Sequence, residues 1–155
     1  MLHTPRAFRG MVVAPHHLAA QAGLAVLREG GNAIEAMVAA AATIAVVYPH
    51  MNSIGGDNFW LLAEPGREPT GILACGVAGQ SASVKFYQDH GCQSIPSRGP
   101  LAANTVAGAI SGWQAALEVS TRWNGRLPIA RLLEDAIHYA RTGIPVTHSQ
   151  HRFTA

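Results

Sequence analysis

Gly30-Gly31-Asn32-Ala33-Ile34-Glu35-Ala36-Met37-Val38-Ala39-Ala40-Ala41-Ala42-Thr43-Ile44-Ala45-Val46-Val47 is the stretch on which the fold turns. Asn32 can accept from a backbone N–H near Glu35 while Glu35 reaches back, which is the spacing of a capping box. The helix this predicts, Ala33 to Val47, is apolar almost all round, and a helix without a polar face is buried on all sides. Its many alanines let neighbouring backbones come close. It is therefore predicted to be a central helix of a layered fold. Upstream, Leu18, Ala22, Ala25, Val26 and Glu29 recur at spacings of three and four, predicting a helix over 18–29 that Gly30-Gly31 ends. Met11 to Ala14 reads as a short strand stopped by Pro15.

Downstream, Phe59 to Ala63 and Thr70 to Leu73 flank a turn-rich segment and predict an antiparallel hairpin. Residues 88–104, with Gly91, Pro96, Gly99 and Pro100, read as a long loop. Two helices are expected to follow, one from Val106 to Arg122 and one beginning at Pro128. The second carries an apolar stripe of Ile129, Leu132, Leu133, Ala136, Ile137 and Ala140, and Gly143 with Pro145 ends it. The fold class is α/β in the broad sense (α+β), with helices packed on an antiparallel hairpin.

Composition narrows the function. Only 13% of the 155 residues are charged, about half the share of an ordinary soluble domain. One reading is that further protein covers part of the surface. Ten arginines and one lysine are scattered among nine acidic residues for a net charge of +2, so no basic stripe suits nucleic acid. The longest uncharged apolar run, Ala36 to Tyr48, is too short to cross a membrane. Met1 to Pro15 lacks the apolar core of a secretory signal, which points to a cytoplasmic chain.

Candidate chemistry is sparse. Tyr48 to Trp60 runs from the central helix through Gly55, Gly56 and Asp57 into the first strand. The glycines are expected to let backbone approach a neighbour closely, with His50, Asn52 and Asp57 crowding polar groups beside the core. The generic reading is a tight structural turn. His16 and His17 are adjacent and expected to point apart, and His148 and His151 lack an evident third ligand. No metal site and no cofactor are expected. Cys75, at the end of the second hairpin strand, reads as a small buried hydrophobe, with a nucleophile as the lesser alternative.

Three segments together resemble the first part of the large subunit of the γ-glutamyltransferase (γ-glutamyltranspeptidase) family. They are Met11 to Leu27 with Gly30-Gly-Asn-Ala-Ile-Glu-Ala36, then Val47-Tyr-Pro-His50 through Ile54-Gly-Gly-Asp-Asn-Phe59, and Asn104-Thr-Val-Ala-Gly-Ala-Ile-Ser-Gly-Trp113 with Gly125-Arg-Leu-Pro128 and Ala140 to Val146. Asp57-Asn58 after the glycine pair is similar to the divergent γ-glutamyltransferase-like branch. The resemblance implies an N-terminal-nucleophile hydrolase with an α/β/β/α sandwich, incomplete in this chain, whose precursor cleaves itself into two subunits. The new N-terminal Thr of the small subunit would attack a γ-glutamyl amide, its free amine acting as base. That half lies outside this sequence, and Thr147-His148-Ser149 sits where the family has only a loop, so no catalytic residue is assigned.

The resemblance also implies an arginine, just after the second hairpin strand, that grips the substrate carboxylate. Counting from Ile54-Gly55-Gly56 puts that position at Cys75, and no arginine occurs from Thr70 to Ser83. A thiol does not replace a bidentate guanidinium contact, so an amide other than γ-glutamyl comes into view. Cys75 is thus the candidate substrate-binding position, beside the structural turn Gly55, Gly56 and Asp57. The preferred reading is one partial domain over 1–155, loose at 1–10 and 149–155, inactive alone and completed by the small-subunit half. The alternative is a stand-alone, non-catalytic α/β binding module.

Overall fold

The computed structural model describes residues 4–154. In chain order they form α1 (His17–Arg28), α2 (Ala33–Val47), β1 (Asn58–Leu62), β2 (Thr70–Ala74), α3 (Val84–Asp89), α4 (Ala109–Arg122), α5 (Ile129–Leu132), α6 (Glu134–Thr142) and α7 (His148–Thr154). The chain is α+β, with helices and a two-stranded antiparallel sheet. It divides into two compact units, one holding the residues up to Ser53 and from Trp113 onward, the other Ile54–Gly112.

The first unit is built on α1 and α2. Ala19, Ala22 and Val26 of α1 are buried, as are Ile34, Val38, Ala39, Ala42 and Val47 of α2. Small side chains on both helices bring the two axes close, which is what the alanine run demanded. α2 is not buried on every side: Ala33 is exposed and Met37 is 41% exposed. α1 ends where Gly30 takes φ +89°, a conformation that only glycine adopts without strain, and Gly31 N–H returns to Val26 O at 2.9 Å.

The capping box at Asn32 is the strongest node of the unit. Asn32 Oδ1 accepts from Ile34 N and Glu35 N, each at 3.0 Å, and Glu35 Oε2 accepts from Asn32 N at 2.8 Å. The other Glu35 oxygen accepts from Arg126 N and Leu127 N, both at 2.7 Å. Asn32 Nδ2 donates to Ser120 Oγ at 2.8 Å and to the carbonyls of Ser120 and Trp123. A local helix cap therefore also fixes the turn between α4 and α5, some ninety residues on.

Several expectations are corrected here. Residues 11–14 alternate between exposed and half-buried as a strand would, but they pair with no strand among the described residues. The helix expected from Pro128 is broken at Leu133 (φ −92°, ψ −3°) into α5 and α6, so Ile129, Ile137 and Ala140 of the expected stripe are exposed. At the expected loose ends, residues 4–10 form no helix or strand, whereas 148–154 form α7 with Gln150 buried; residues 1–3 and 155 lie outside the described residues.

Arg131 clips α5 to the end of α1. Its Nε donates to Glu29 Oε2 at 2.7 Å, its Nη2 pairs with Glu29 Oε1, and its Nη1 lies 3.4 Å from Glu134. The Arg131 hydrogen bond holds the Glu29 carboxyl below its usual range, with burial opposing and the Arg131 charge adding. A depressed carboxylate stabilises the fold above its unfolded value of about 4.3, and the benefit is lost as pH falls through the lower folded value. Glu29→Gln should therefore lower stability at neutral pH by about 1 kcal/mol or less, since the pair is partly solvated. Denaturant melts should show the difference from wild type vanishing in acid.

The second unit carries the hairpin. Phe59 pairs with Leu73, Trp60 with Ile72 and Leu61 with Gly71. Trp60, Leu62, Ile72 and Ala74 turn inward, while Phe59, Leu61 and Leu73 stand 65%, 79% and 74% exposed on the other face. One whole face of the sheet is thus apolar and open. The expected long loop at 88–104 begins after α3, a six-residue helix capped by Ser83, and contains a single 3-10 turn at Pro100–Ala102.

Candidate functional site

The candidate site lies at the end of the hairpin, wholly within the second unit. The turn before β1 is bolted to the start of α4, because Gly56 O accepts from Gly108 N and Ala109 N, each at 3.0 Å. Asp57 Oδ1 accepts from Gly76 N at 3.3 Å, tying the same turn to the residue after Cys75. Beyond β2 the chain continues beside residues 104–106: Ala78 bridges Thr105, Val106 N donates to Val77 O at 3.0 Å, and Gly79 N to Asn104 O at 2.9 Å. This pairing takes up Val106, the first residue of the expected helix, and α4 starts only at Ala109.

Approaches too close for a side chain are found at Gly76 and Gly108, and not at Gly56. No atom lies within 4 Å of the place a Gly56 side chain would occupy. At Gly76 a Cβ would sit 1.4 Å from Val106 O, and at Gly108 it would sit 2.1 Å from Ala74 O. These two glycines allow the strand ends to touch the 106–108 segment. Sequence reading passed over them because each is an isolated glycine whose neighbour is some thirty residues away.

Cys75 is an exposed free thiol and not the buried hydrophobe expected of it. It follows Ala74, the last residue of β2, so alternation places it with Leu73 on the open face. His50 and Asn52 do not belong to this group. They lie in the first unit, where Asn52 N donates to Tyr48 O at 3.1 Å and the His50 ring meets Tyr48 at 4.3 Å. Trp60 Nε1 and Asn58 Oδ1, behind the open face, are buried polar atoms without a partner among the described residues.

Among the described residues no three His, Cys, Asp or Glu side chains converge as a ligand set. His16 and His17, expected to point apart, are stacked at 4.6 Å. Thr147 Oγ1 accepts from Gln150 N at 3.2 Å, as the hydroxyl of a helix cap does. No helix of the described residues is long and apolar enough to cross a membrane.

The profile of the family described as "Gamma-glutamyltranspeptidase" matches residues 19–155. The chain belongs to the gamma-glutamyltranspeptidase family. It is 62% identical over 147 residues to the "Oxamate amidohydrolase proenzyme" of Klebsiella pneumoniae, covering 94% of this chain and 28% of that protein. It is 43% identical over 145 residues to the "Glutathione hydrolase-like YwrD proenzyme" of Bacillus subtilis, covering 93% of this chain and 26% of that protein. The solved gamma-glutamyltranspeptidase from Pseudomonas nitroreducens complexed with L-DON superposes with a TM-score of 0.81 at 31% identity, over 96% of this chain and 44% of that one. The two relatives are proenzymes, and the chain spans about a quarter of their length.

Proposed function

We propose that this chain is the front of the large subunit of an N-terminal-nucleophile amidohydrolase that acts on a short carboxamide and not on a γ-glutamyl amide. The observation that carries the reading is Cys75. It stands exposed at the end of β2, where the resemblance puts the arginine for the substrate α-carboxylate. With no arginine from Thr70 to Ser83, a γ-glutamyl group loses its bidentate partner. The 62% identity to a protein named for oxamate amidohydrolysis supports a small amide. Oxamate itself carries a carboxylate, so its cation would come from outside that segment.

In the same reading the hairpin belongs to one of the two sheets of an α/β/β/α sandwich. Phe59, Leu61 and Leu73 then face a second sheet supplied by the rest of the enzyme, which also supplies the Thr nucleophile. Gly56 and Asp57 act structurally by holding the strand ends around Cys75. The chain alone is inactive.

Substrate competition in the whole proenzyme tests this. Ammonia release from oxamate should outpace amine release from a γ-glutamyl anilide by about a hundredfold, the usual scale for losing a charge-assisted contact. The isolated chain should release neither product. Equal or faster γ-glutamyl turnover would end the reading. Activity of the isolated chain would end the assignment of the nucleophile to the other half.

A further inference from the structure

The first unit holds a run of rings that the candidate site does not use. His16 stands immediately before α1 and is 3% exposed. Its Nδ1 accepts the Leu18 N–H at 3.2 Å, so the ring caps the helix. The same ring stacks on His17 and lies 6.1 Å from the Tyr48 ring at the end of α2. Tyr48 in turn meets His50 at 4.3 Å, and His50 lies 6.0 Å from Phe153 of α7. Ser149 of α7 is within 3.5 Å of both Tyr48 Oη and His50 Nε2.

An imidazole that accepts at Nδ1 is neutral and carries its proton on Nε2. A second proton must go to Nδ1, the capping atom itself. That turns the acceptor into a donor facing the Leu18 N–H, and places a positive charge at the positive end of the α1 dipole. Serine, asparagine and aspartate, the usual caps, do not behave in this way near neutral pH.

We propose that His16 is an acid-sensitive cap, whose protonation frees the first turn of α1 and loosens the ring contacts that join it to Tyr48. Burial holds the imidazole below its ordinary range, and the charge of His17 acts in the same direction. The groups facing it are His17 from its own segment and Tyr48 from the end of α2, with His50 behind Tyr48. None of these is a carboxylate that would favour the imidazolium. Because the folded ring prefers to be neutral, its full contribution is present above about 6.5 and is lost as pH falls below that value.

Hydrogen exchange on the full chain reads the cap directly. After correction for intrinsic chemistry, exchange at the Leu18 amide should accelerate about tenfold between about pH 7.5 and about pH 5, the scale of a lost N-cap. His16→Asn keeps an acceptor at the cap but does not titrate in this range, so its acceleration should stay below about twofold. Equal acceleration in both proteins, or none in the wild type, overturns the proposal. Should H16N fail to fold, nitrogen NMR of the wild-type ring decides. Nδ1 should be unprotonated at neutral pH, and the Leu18 N–H signal should move with the ring's titration; a ring protonated on Nδ1 at neutral pH overturns the proposal.

Discussion

Glu35→Ala should lower the melting temperature of the chain by about 10 °C, followed by far-ultraviolet circular dichroism. Glu35 is only 2% exposed, and its carboxylate accepts three backbone N–H groups, from Asn32, Arg126 and Leu127. Alanine leaves all three part-buried donors without this partner, and each such group costs about 1 kcal/mol or more. The sum is about 3 kcal/mol or more, a large share of the roughly 5–15 kcal/mol that holds a typical domain. Glu35→Gln is the informative companion. Its oxygen can still serve Arg126 and Leu127, but its NH2 then faces the Asn32 N–H, so one contact of three is lost and the drop should be smaller. An alanine variant melting within about 2 °C of wild type would show that the node does not hold the unit together.

Gly76→Ala should disrupt the second unit more severely than any surface change. The added methyl would sit 1.4 Å from Val106 O, a backbone atom that no rotamer change can move aside. Relief requires separating residues 76–79 from 104–106, and with them the bonds from Val106 N to Val77 O and from Gly79 N to Asn104 O. Overpacking against flexible side chains typically costs about 1–3 kcal/mol, and a backbone clash belongs above that range. Gly56→Ala is the control, because its methyl would meet open space and should change stability by about 0.5 kcal/mol or less. Urea melts followed by far-ultraviolet circular dichroism compare the two variants. Equal midpoints would show that the strand ends can part without loss.

What the sequence made legible follows from the range of the forces involved. The capping box at Asn32 and Glu35, the helix over 33–47 and the hairpin turn are set by residues within a few positions of one another, and all appear as read. The break at Leu133 was hidden because the apolar spacing of Ile129 to Ala140 suits one continuous helix. The pairing of 77–79 with 104–106 spans too many residues to leave a local signature. Cys75 was singled out as a lone strand-end cysteine, and its candidate substrate role came through the family resemblance alone; its exposure was misread because nothing around a strand-end cysteine says whether it is covered. The stack of His16 on His17 was misread because adjacency along a chain says little about ring orientation just before a helix.

The node at Glu35 also imposes an order of events on the growing chain. The first unit is discontinuous, with Ile54–Gly112 inserted between its two parts. Its carboxylate cannot meet the Arg126 and Leu127 amides until the ribosome has released the intervening segment, whereas the hairpin joins neighbours in sequence. Until then only the local bond from Asn32 N reaches the Glu35 carboxylate, and its other oxygen lacks the Arg126 and Leu127 amides. Closure of the first unit thus has to follow release of the segment inserted into it.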